Sequence, residues 1–365
     1  MSTPEHARRR ARLRKRLVKS GINALLISNE TNVTYLTGFT GDSSYLWLLP
    51  KGEVFISDSR YATQISEQCG ELDTYIRDAT MTKLDAVVAV AKKTKASSIG
   101  IESSSIIKSQ FDKLNSELTG ELVDTENWVE ELRAIKDKTE IATIRESIRI
   151  NERAFNVIRA QLSGEQTERQ IAHNLEHQIR AFGGTRCAFD PIVGVGPRGA
   201  LPHATVSTAR IDSSGFVLID WGTQFMGYAS DLTRVLATAK IPPKLRKIHE
   251  IVVKAQKAAI AKIRPGVTFK SVDKVARNVI SKSGYGKNFG HGLGHGFGLE
   301  IHEHPFISPI AEGVFQKNMV VTVEPGIYLP GWGGVRIEDD VLVTDDGHEV
   351  LSSLPKALED CQVQL

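Results

Sequence analysis

Cysteine is scarce in this chain of 365 residues, which contains only Cys69, Cys187 and Cys361. An odd number of widely separated cysteines does not build a disulfide framework and is typical of proteins in a reducing compartment. We therefore expect a cytoplasmic protein whose fold does not depend on disulfide bonds.

Long apolar runs are also lacking. No stretch approaches the roughly 20 residues that a membrane-spanning helix needs. The N-terminal region has no apolar core of the kind found in signal peptides. We therefore expect no membrane partner.

Neither sign of charge dominates, because 46 Lys and Arg stand against 43 Asp and Glu, for a net charge of +3. This balance gives no basis for a nucleic-acid partner. The local exception is the basic stretch 8–19, which could serve as an arm for RNA or membrane. Its spacing favours an amphipathic helix instead, with Leu13 and Leu17 inward and the arginines in solvent.

The composition that is present is typical of a globular protein, with 24% charged and 41% hydrophobic residues. Strand-like and helix-like stretches alternate up to about residue 134, which predicts an α/β domain. The predicted strands are ALLIS, YLWLL, EVFIS and SSIGIE, and the predicted helices lie near 61–69, 82–95 and 106–115.

A second domain is predicted to begin with a long helix. Ile141, Ile144, Ile148 and Phe155 follow helical spacing. We place the boundary just before this stretch, which gives domains 1–135 and 136–365. Beyond Arg186, hairpin patterns mix with helices predicted near 243–264 and 270–283, so the fold class of the second domain is α+β.

Two hairpin patterns in this second domain each carry a pair of acids. The apolar run before Asp220 is followed by a Gly-containing turn and then by Asp231. A turn centred between Phe225 and Met226 would place these two acids directly opposite each other, on one face of the hairpin.

The second hairpin repeats this plan with Glu324 and Glu338 around a loop centred on Gly331. Burying an unpaired carboxylate is costly, so acids that end apolar runs in two similar hairpins indicate a metal site. The resemblance between the two hairpins suggests halves related by pseudo-symmetry. We expect four nearby acids to be ordinary solvated residues: Asp339, Asp340, Asp345 and Asp346.

Histidines concentrate between the two hairpins. The stretch 290–304 reads GHGLGHGFGLEIHEH and holds four of the ten histidines of the chain. One of them, His295, suits metal ligation, and the others suit proton transfer or donation to an oxyanion. Four carboxylates and one imidazole suit two divalent cations, which can turn water into a nucleophile.

The residues around a glycine-rich stretch disfavour a nucleotide site there. Gly194, Gly196 and Gly199 fit the spacing of a dinucleotide-binding loop. Pro197 and Pro202 oppose a helix at this point, so the helix N-terminus that would bind phosphate is missing.

The chain resembles the metal-dependent pita-bread peptidases, which include prolidase (Xaa-Pro dipeptidase), aminopeptidase P and, more distantly, methionine aminopeptidase. The resemblance extends over nearly the whole chain. It implies a pita-bread catalytic domain preceded by a smaller creatinase-type domain, and a homodimer. The matching segments are NVTYLTGF, FISDSRY, FDPIVGVGPRGALPHA, LIDWG, GYASDLTR, GHGLGHGFGLEIHEHP, VTVEPGIY and GGVRIEDD.

The resemblance also implies metal ligands. Asp231, His295 and Glu324 would bind one metal, and Asp220 would bind the other. Glu338 and Asp231 would bridge the two. Oxygen-rich ligation suits Mn²⁺, although Co²⁺, Fe²⁺ or Zn²⁺ would also bind.

Further roles follow from the same resemblance. His203 and His302 would contact substrate and stabilise the tetrahedral intermediate, and Arg336 would brace the carboxylates or the substrate. His291 is a candidate for the substrate pocket, and Glu324 is the expected proton shuttle. The candidate walls for the proline ring are Phe189, His203 and Tyr228.

The implied reaction is hydrolysis of the Xaa-Pro bond of dipeptides or short peptides by a hydroxide held between the metals. Some prolidases carry an Arg after the HExP motif that can hold the carboxylate of a dipeptide, whereas this chain has Phe306. Dipeptidase and aminopeptidase P activities therefore stay open. The alternatives are a creatinase-like C–N hydrolase of a small molecule and a non-enzymatic peptide-binding module, and a complete ligand set disfavours both.

Overall fold

The computed structural model describes residues 3–365. The chain divides into two compact units, Met1–Arg133 and Ala134–Leu365. The boundary predicted between residues 135 and 136 falls two residues from this division. All three cysteines are free. Within the described residues, no helix is long and apolar enough to cross a lipid bilayer.

The first unit is built on one mixed six-stranded sheet with the order β4-β3-β2-β1-β5-β6. The pairs β1–β2 and β2–β3 are antiparallel, and the outer pairs are parallel. The strands are β1 (Ala24–Ile27), β2 (Tyr45–Leu48), β3 (Glu53–Asp58), β4 (Asp73–Arg77), β5 (Ser98–Ile101) and β6 (Glu121–Asp124).

Helices accompany this sheet, as the alternating pattern predicts. All four predicted strands and all three predicted helices of this unit are confirmed. The helices are α1 (Pro4–Lys19), α2 (Glu30–Thr37), α3 (Ala62–Cys69), α4 (Lys83–Thr94), α5 (Lys108–Glu117) and α6 (Glu130–Ala134).

The basic stretch forms helix α1, and its predicted apolar face is confirmed because Leu13 and Leu17 are buried. The expectation that its arginines are solvated is wrong for Arg9 and Arg10, which are also buried. They donate to the carbonyl oxygens of Tyr35 and Leu36 at 3.0 Å and 2.8 Å. These carbonyls belong to the last turn of α2, where backbone acceptors lack helical partners and attract cations.

The second unit contains four long helices, and the three predicted regions around residues 141, 243 and 270 are confirmed. Helix α7 begins where its sequence predicts, because Asp137 accepts hydrogen bonds from the backbone N–H groups of Thr139 and Glu140. The helices are α7 (Lys138–Gln161), α8 (Glu168–Ala181), α9 (Pro243–Ile260) and α10 (Phe269–Lys282).

All strand pairs of the second unit are antiparallel. They form sheets with the orders β11-β10-β7, β12-β9-β8, β14-β13-β15-β18-β19 and β16-β17. The strands are β7 (Arg186–Cys187), β8 (Ile192–Val195), β9 (Phe216–Trp221), β10 (Thr223–Phe225), β11 (Tyr228–Ala229), β12 (Leu232–Ala237), β13 (Gly294–Gly296), β14 (Glu303–Ile307), β15 (Val320–Val323), β16 (Gly326–Leu329), β17 (Gly333–Arg336), β18 (Asp339–Val343) and β19 (His348–Val350).

Strands β9 and β12 are buried along their whole length. Val217 and Ile219 of β9 pack into a cluster with residues of α7 and α8. Leu218 packs into a second cluster with residues of α9, α10, β15 and β18. Because both faces of β9 are covered, the acid at its end is held on a rigid element.

Candidate active site

The turn of the first acidic hairpin lies one residue later than predicted, which shifts the strand pairing by two residues. Strands β9 and β12 place Asp220 opposite Thr233. The turn falls at Met226 and Gly227, whose φ values are 48° and 86°. A two-residue type I′ turn needs positive φ at both positions, and glycine meets that demand without strain.

The predicted direct opposition of Asp220 and Asp231 is therefore wrong. The predicted turn would have forced positive φ on Phe225 and Met226, which is costlier than using Gly227. Asp231 stands two residues before Thr233, and a shift of two residues keeps a side chain on the same face of a strand. The two acids therefore still converge.

The register predicted for the second hairpin is confirmed. Val323 of β15 lies opposite Asp339 of β18, and Gly326 of β16 lies opposite Arg336 of β17. Both pairings centre on Gly331, as predicted. Between them, the same register sets Glu324 against Glu338.

The five predicted ligands come together in the second unit. Ligand oxygens of Asp220, Asp231 and Glu338 all lie within 4.8 Å of one another. The Nε2 atom of His295 lies 3.4 Å from Glu324 Oε1 and 3.8 Å from Asp231 Oδ2. Four carboxylate groups and one imidazole ring therefore lie together in one largely buried cluster.

The carboxylate oxygens of this cluster fit a cation. Asp220 Oδ1, Asp231 Oδ1 and Glu338 Oε1 are buried and accept no hydrogen bond. Buried polar atoms normally have a partner, so three such oxygens close together point to a ligand of opposite charge. The residues thus suit divalent metal ions on the chemistry of their donor atoms.

Burial and mutual repulsion raise the pKa values of Asp231, Glu324 and Glu338 in the absence of cations. Desolvation and the charge of Glu338 raise the pKa of Asp231 well above its ordinary value. Desolvation and the charge of Glu324 do the same to the pKa of Glu338. Desolvation raises the pKa of Glu324 to about 8, although the charge of Arg336 opposes this. Cations at the cluster would reverse these shifts.

His295 is suited to ligation by its protonation state. Desolvation, and next the positive charge of His302, lower its pKa to about 4. Its Nδ1 atom lies 3.1 Å from the carbonyl oxygen of Gly296, to which it donates when Nδ1 carries the proton. In that tautomer Nε2 carries no proton, and its lone pair faces the side of Asp231 and Glu324. A cation between these groups could therefore bind Nε2.

Arg336 holds two of the carboxylates in place, Asp220 directly and Glu338 through Thr233. Its side chain is buried, and its Nη2 donates to Asp220 Oδ2 at 2.5 Å. Its Nε donates to Thr233 Oγ1 at 3.0 Å, and Thr233 in turn donates to Glu338 Oε2 at 2.6 Å. Its Nη1 donates to the Tyr328 hydroxyl at 2.8 Å. One guanidinium thus orients carboxylates from both hairpins.

Three further histidines lie around this centre. The His302 ring centroid is 4.5 Å from that of His295. Desolvation, and next the positive charge of His203, lower the pKa of His302. His291 Nε2 lies 2.9 Å from the Tyr328 hydroxyl. Desolvation and the charge of Arg336 lower the pKa of His291 to about 4.

The predicted walls for the proline ring have different surroundings. Phe189 lies so close to Gly222 that a Cβ on this glycine would approach its ring to 2.8 Å. It therefore lies near the end of β9. The Tyr228 hydroxyl donates to Glu140 of α7 at 3.0 Å, and its ring packs against a hydrophobic cluster that includes Phe297. The contact of both residues with substrate stays a prediction.

Two of the acids expected in solvent are buried. Asp339 and Asp340 have no exposed surface because β18 is an inner strand of its sheet. Asp340 Oδ2 accepts the backbone N–H of Asp231 at 3.3 Å. Asp345 and Asp346 are exposed, as expected.

Asp339 belongs to a buried ionic network. It accepts from Arg234 Nη2 at 2.8 Å and from Gln256 Nε2 at 2.9 Å, and it pairs with Lys356. Arg234 also donates to the carbonyl oxygen of Glu338 at 2.5 Å. This network fixes the backbone of a predicted metal ligand.

Sequence reasoning missed the threonines that support the site. Thr233 binds Glu338 and Arg336, and the backbone N–H of His295 donates to Thr322 Oγ1 at 3.1 Å. The available signal was strand alternation, since Thr233 stands two residues after Asp231 and Thr322 two residues before Glu324.

Comparisons with known proteins place this arrangement in a family. Residues 142–345 match metallopeptidase family M24, and residues 9–135 match the creatinase/prolidase N-terminal domain. The chain belongs to metallopeptidase family M24, and it is an enzyme of that class. The predicted resemblance and fold class are thereby confirmed.

Individual relatives cover nearly the whole chain. The uncharacterized peptidase YqhT of Bacillus subtilis is 36% identical over 350 residues, which are 95% of this chain and 98% of that protein. A protein named Xaa-Pro dipeptidase from Pyrococcus horikoshii is 35% identical over 343 residues, 93% of this chain and 95% of that protein.

Solved structures are similar in fold as well as sequence. The Xaa-Pro dipeptidase from Bacillus anthracis has a TM-score of 0.92 and 37% identity, covering 97% of this chain and 99% of that one. The X-Pro aminopeptidase from Thermotoga maritima has a TM-score of 0.87 and 35% identity, covering 96% and 99%.

Proposed function

We propose that this protein hydrolyses the peptide bond before a proline at the second position of dipeptides or short peptides. The observation that carries the proposal is the cluster of buried carboxylate oxygens of Asp220, Asp231 and Glu338, which accept no hydrogen bond. The names of the relatives, Xaa-Pro dipeptidase and X-Pro aminopeptidase, support this bond as the target.

The metal ligands follow from the same cluster. Asp231, His295 and Glu324 would hold one ion and Asp220 the other, with Glu338 and Asp231 shared between them. Divalent ions held there would supply a Lewis acid for the scissile carbonyl and would lower the pKa of a water molecule. We propose Mn²⁺ because most of the donors are carboxylate oxygens, although Co²⁺, Fe²⁺ or Zn²⁺ would fit the same donors.

Glu324 is proposed as the proton carrier of the reaction. Its side chain is 17% exposed, so it can reach substrate, and one oxygen lies 3.4 Å from Thr322 Oγ1. Its carboxylate takes a proton from the attacking water and passes it to the departing nitrogen. The proline nitrogen must receive this proton before the C–N bond breaks, because an unprotonated nitrogen would leave as a strongly basic amide anion.

His203 and His302 are proposed to donate hydrogen bonds to the substrate. Both side chains are exposed, and His302 lies beside His295, so its N–H can reach a carbonyl oxygen held at the centre. Such donors stabilise the negative charge that develops on the carbonyl oxygen in the transition state. Phe189, His203 and Tyr228 are proposed as walls for the proline ring, and His291 is proposed as part of the substrate pocket.

Phe306 is proposed to favour peptides longer than two residues. It lies opposite His295 in the β13–β14 pairing, so both side chains share one face of the sheet. Its side chain is 48% exposed. An apolar ring beside the site offers contact to a third residue and offers no charge to the free carboxylate of a dipeptide.

We also propose that the protein works in the cytoplasm and as a homodimer. Three free cysteines support the reducing compartment. The homodimer rests on the family resemblance alone.

Removal of metal tests the proposed function. Chelation followed by dialysis is expected to abolish hydrolysis of Ala-Pro and Ala-Pro-Ala, and added Mn²⁺ is expected to restore it. Unchanged hydrolysis after verified metal removal would refute the proposed chemistry.

A further inference from the structure

His203 lies on a loop that has little regular structure of its own. After β8, a 3₁₀ turn spans Gly196–Ala200, and no helix or strand follows until the short turn Ile211–Ser213. The side chain of His203 is exposed. An exposed group on a loop reaches a fixed position only if other residues hold the loop backbone.

Glu168 holds both ends of this loop. It is the first residue of α8 and has no exposed surface. Its Oε1 accepts the backbone N–H of Val195 at 2.9 Å, where the loop begins. Its Oε2 accepts the backbone N–H of Ser207 at 2.8 Å and the Ser207 hydroxyl at 2.7 Å, where the loop ends. One buried carboxylate therefore closes the loop.

Arg198 extends this clamp into the loop. Its Nε lies 3.0 Å and 2.9 Å from the two oxygens of Glu168, so it also neutralises the buried charge. Its Nη2 donates to the carbonyl oxygen of Thr205, two residues beyond His203. The backbone on both sides of His203 is thus linked to Glu168.

The other side of the loop packs directly on β17. A Cβ on Gly334 would lie 1.9 Å from the carbonyl oxygen of Gly199, so the two backbones touch without room for a side chain. Two residues further along β17, Arg336 bonds Asp220. The loop is therefore fixed between Glu168 and strand β17. This strand carries Arg336, which supports the carboxylate centre formed by Asp220, Asp231, Glu324 and Glu338.

We propose that Glu168 is a positioning residue for the reaction, which sets the place of His203 relative to the carboxylate centre. This inference rests on the proposed contact of His203 with substrate. Glu168 itself is buried and acts only through the loop.

The substitution Glu168→Gln tests the clamp with little change in size. The two oxygens of Glu168 accept from Val195 and Ser207, whereas a glutamine amide has only one acceptor oxygen. Its NH₂ group would face one of these backbone N–H groups and could not accept from it. A small misplacement of a catalytic group can cost 100-fold in rate, so we expect kcat/KM for Ala-Pro-Ala to fall about 10- to 100-fold. Bound manganese, measured after gel filtration, should be unchanged because the loop carries no predicted metal ligand.

Glu102→Gln is the matched control. Glu102 is also buried, and its Oε2 accepts the backbone N–H groups of Ser28 and Asn29 at 2.6 Å and 2.8 Å. It holds a segment of the first unit, so the kcat/KM of this variant should stay within about twofold of the wild type. An equal loss in both variants would overturn the proposal.

A double-mutant cycle decides whether Glu168 acts through His203. We expect Glu168→Gln to cost nothing further in a His203→Ala background, since the group that it positions is gone. Additive losses would overturn the inference and leave the proposed function standing. A His203→Ala variant with full activity would overturn both the proposed role of His203 and the inference.

If Glu168→Gln does not fold, the variant Arg198→Met and amide hydrogen exchange test the same proposal. Arg198→Met removes the link to Thr205 and keeps the carboxylate. It should raise amide exchange within residues 196–207 and lower kcat/KM, again only when His203 is present. Unchanged exchange in this loop together with lost activity would contradict the positioning role.

Discussion

Burial determines the chemistry of Glu324 more than its charge partners do. Desolvation raises its pKa to about 8 from an ordinary value of 4.5, despite the neighbouring Arg336. In the metal-free protein the folded state therefore keeps a proton that the unfolded chain releases near pH 4.5. We therefore expect both the stability of the metal-free protein and the proposed proton transfer to depend on Glu324.

The first prediction concerns stability against pH in metal-free protein. Because the folded-state pKa of Glu324 is raised, its contribution to stability is fully present below about pH 4.5 and is lost as pH rises toward about 8. His291 and His295 have pKa values lowered to about 4, so they act in the opposite direction only below their ordinary value of 6.5. We therefore expect stability to fall between pH 6.5 and 8.

Urea denaturation across this range measures the effect. Glu324→Gln, which has no proton to release, should show a smaller decline. Added Mn²⁺ should reverse the trend, because the metal binds the deprotonated carboxylates. A stability of the metal-free protein that rises with pH in this range would contradict the assignment.

The second prediction concerns turnover. Glu324→Gln should lower kcat by about 10²- to 10⁴-fold, the usual contribution of a positioned proton carrier. Steady-state kinetics should be paired with a metal assay, because Glu324 is also a proposed ligand. Full turnover in a metal-loaded variant would exclude Glu324 as the proton carrier.

The third prediction concerns Arg336. Removing it leaves Asp220 buried without its ion-pair partner, so Arg336→Met should destabilise metal-free protein by about 3–5 kcal/mol in urea. The exposed pair Arg210–Asp212, at 2.6 Å, supplies the control. Arg210→Met should cost no more than about 1 kcal/mol. Equal costs would show that the buried ion pair contributes little.

At the scale of elements, the two hairpins show what a strand pattern can and cannot predict. The register around Gly331 was predictable because the loop lies midway between two acid-bearing runs. The register predicted for the first hairpin was wrong, because the residues that can form the turn decide the register and the position of the acids does not. Met226 and Gly227 take the positive φ values that the turn requires.

The supporting residues of the site were less accessible to sequence reasoning. Arg336 bonds Asp220 across 116 residues of chain, and Arg234 bonds Asp339 across 105. Such pairs depend on how sheets pack, and no local periodicity encodes them. The same reason explains why Asp339 and Asp340 were expected in solvent, although they lie on an inner strand.

The fourth prediction belongs to the β13–β14 pair. Phe306→Arg would place a cation on the face shared with His295, so kcat/KM for Ala-Pro should rise about tenfold relative to Ala-Pro-Ala. Ile310 is 88% exposed and lies beyond β14, so Ile310→Arg is the control for added charge alone. A ratio that is unchanged in Phe306→Arg, or equally changed in Ile310→Arg, would remove Phe306 from substrate selection.

At the scale of the whole molecule, the sequence predicted the order of elements and the class of each unit. Alternating strands and helices predicted the α/β unit, and helical spacing after residue 136 predicted α7. The burial of Arg9 and Arg10 was not predictable, because it depends on carbonyl groups of α2 that only the folded unit brings close. Local pattern thus predicts elements, whereas tertiary packing decides which charges are buried.

The central claim is that the carboxylate centre cleaves peptide bonds before proline. The most direct test assays manganese-loaded protein against Ala-Pro, Ala-Pro-Ala and Ala-Ala-Ala side by side, with metal-free protein as the blank. We predict metal-dependent cleavage of both proline peptides, faster for Ala-Pro-Ala, and little cleavage of Ala-Ala-Ala. Equal cleavage of Ala-Ala-Ala, or no cleavage of either proline peptide by fully loaded protein, would contradict it.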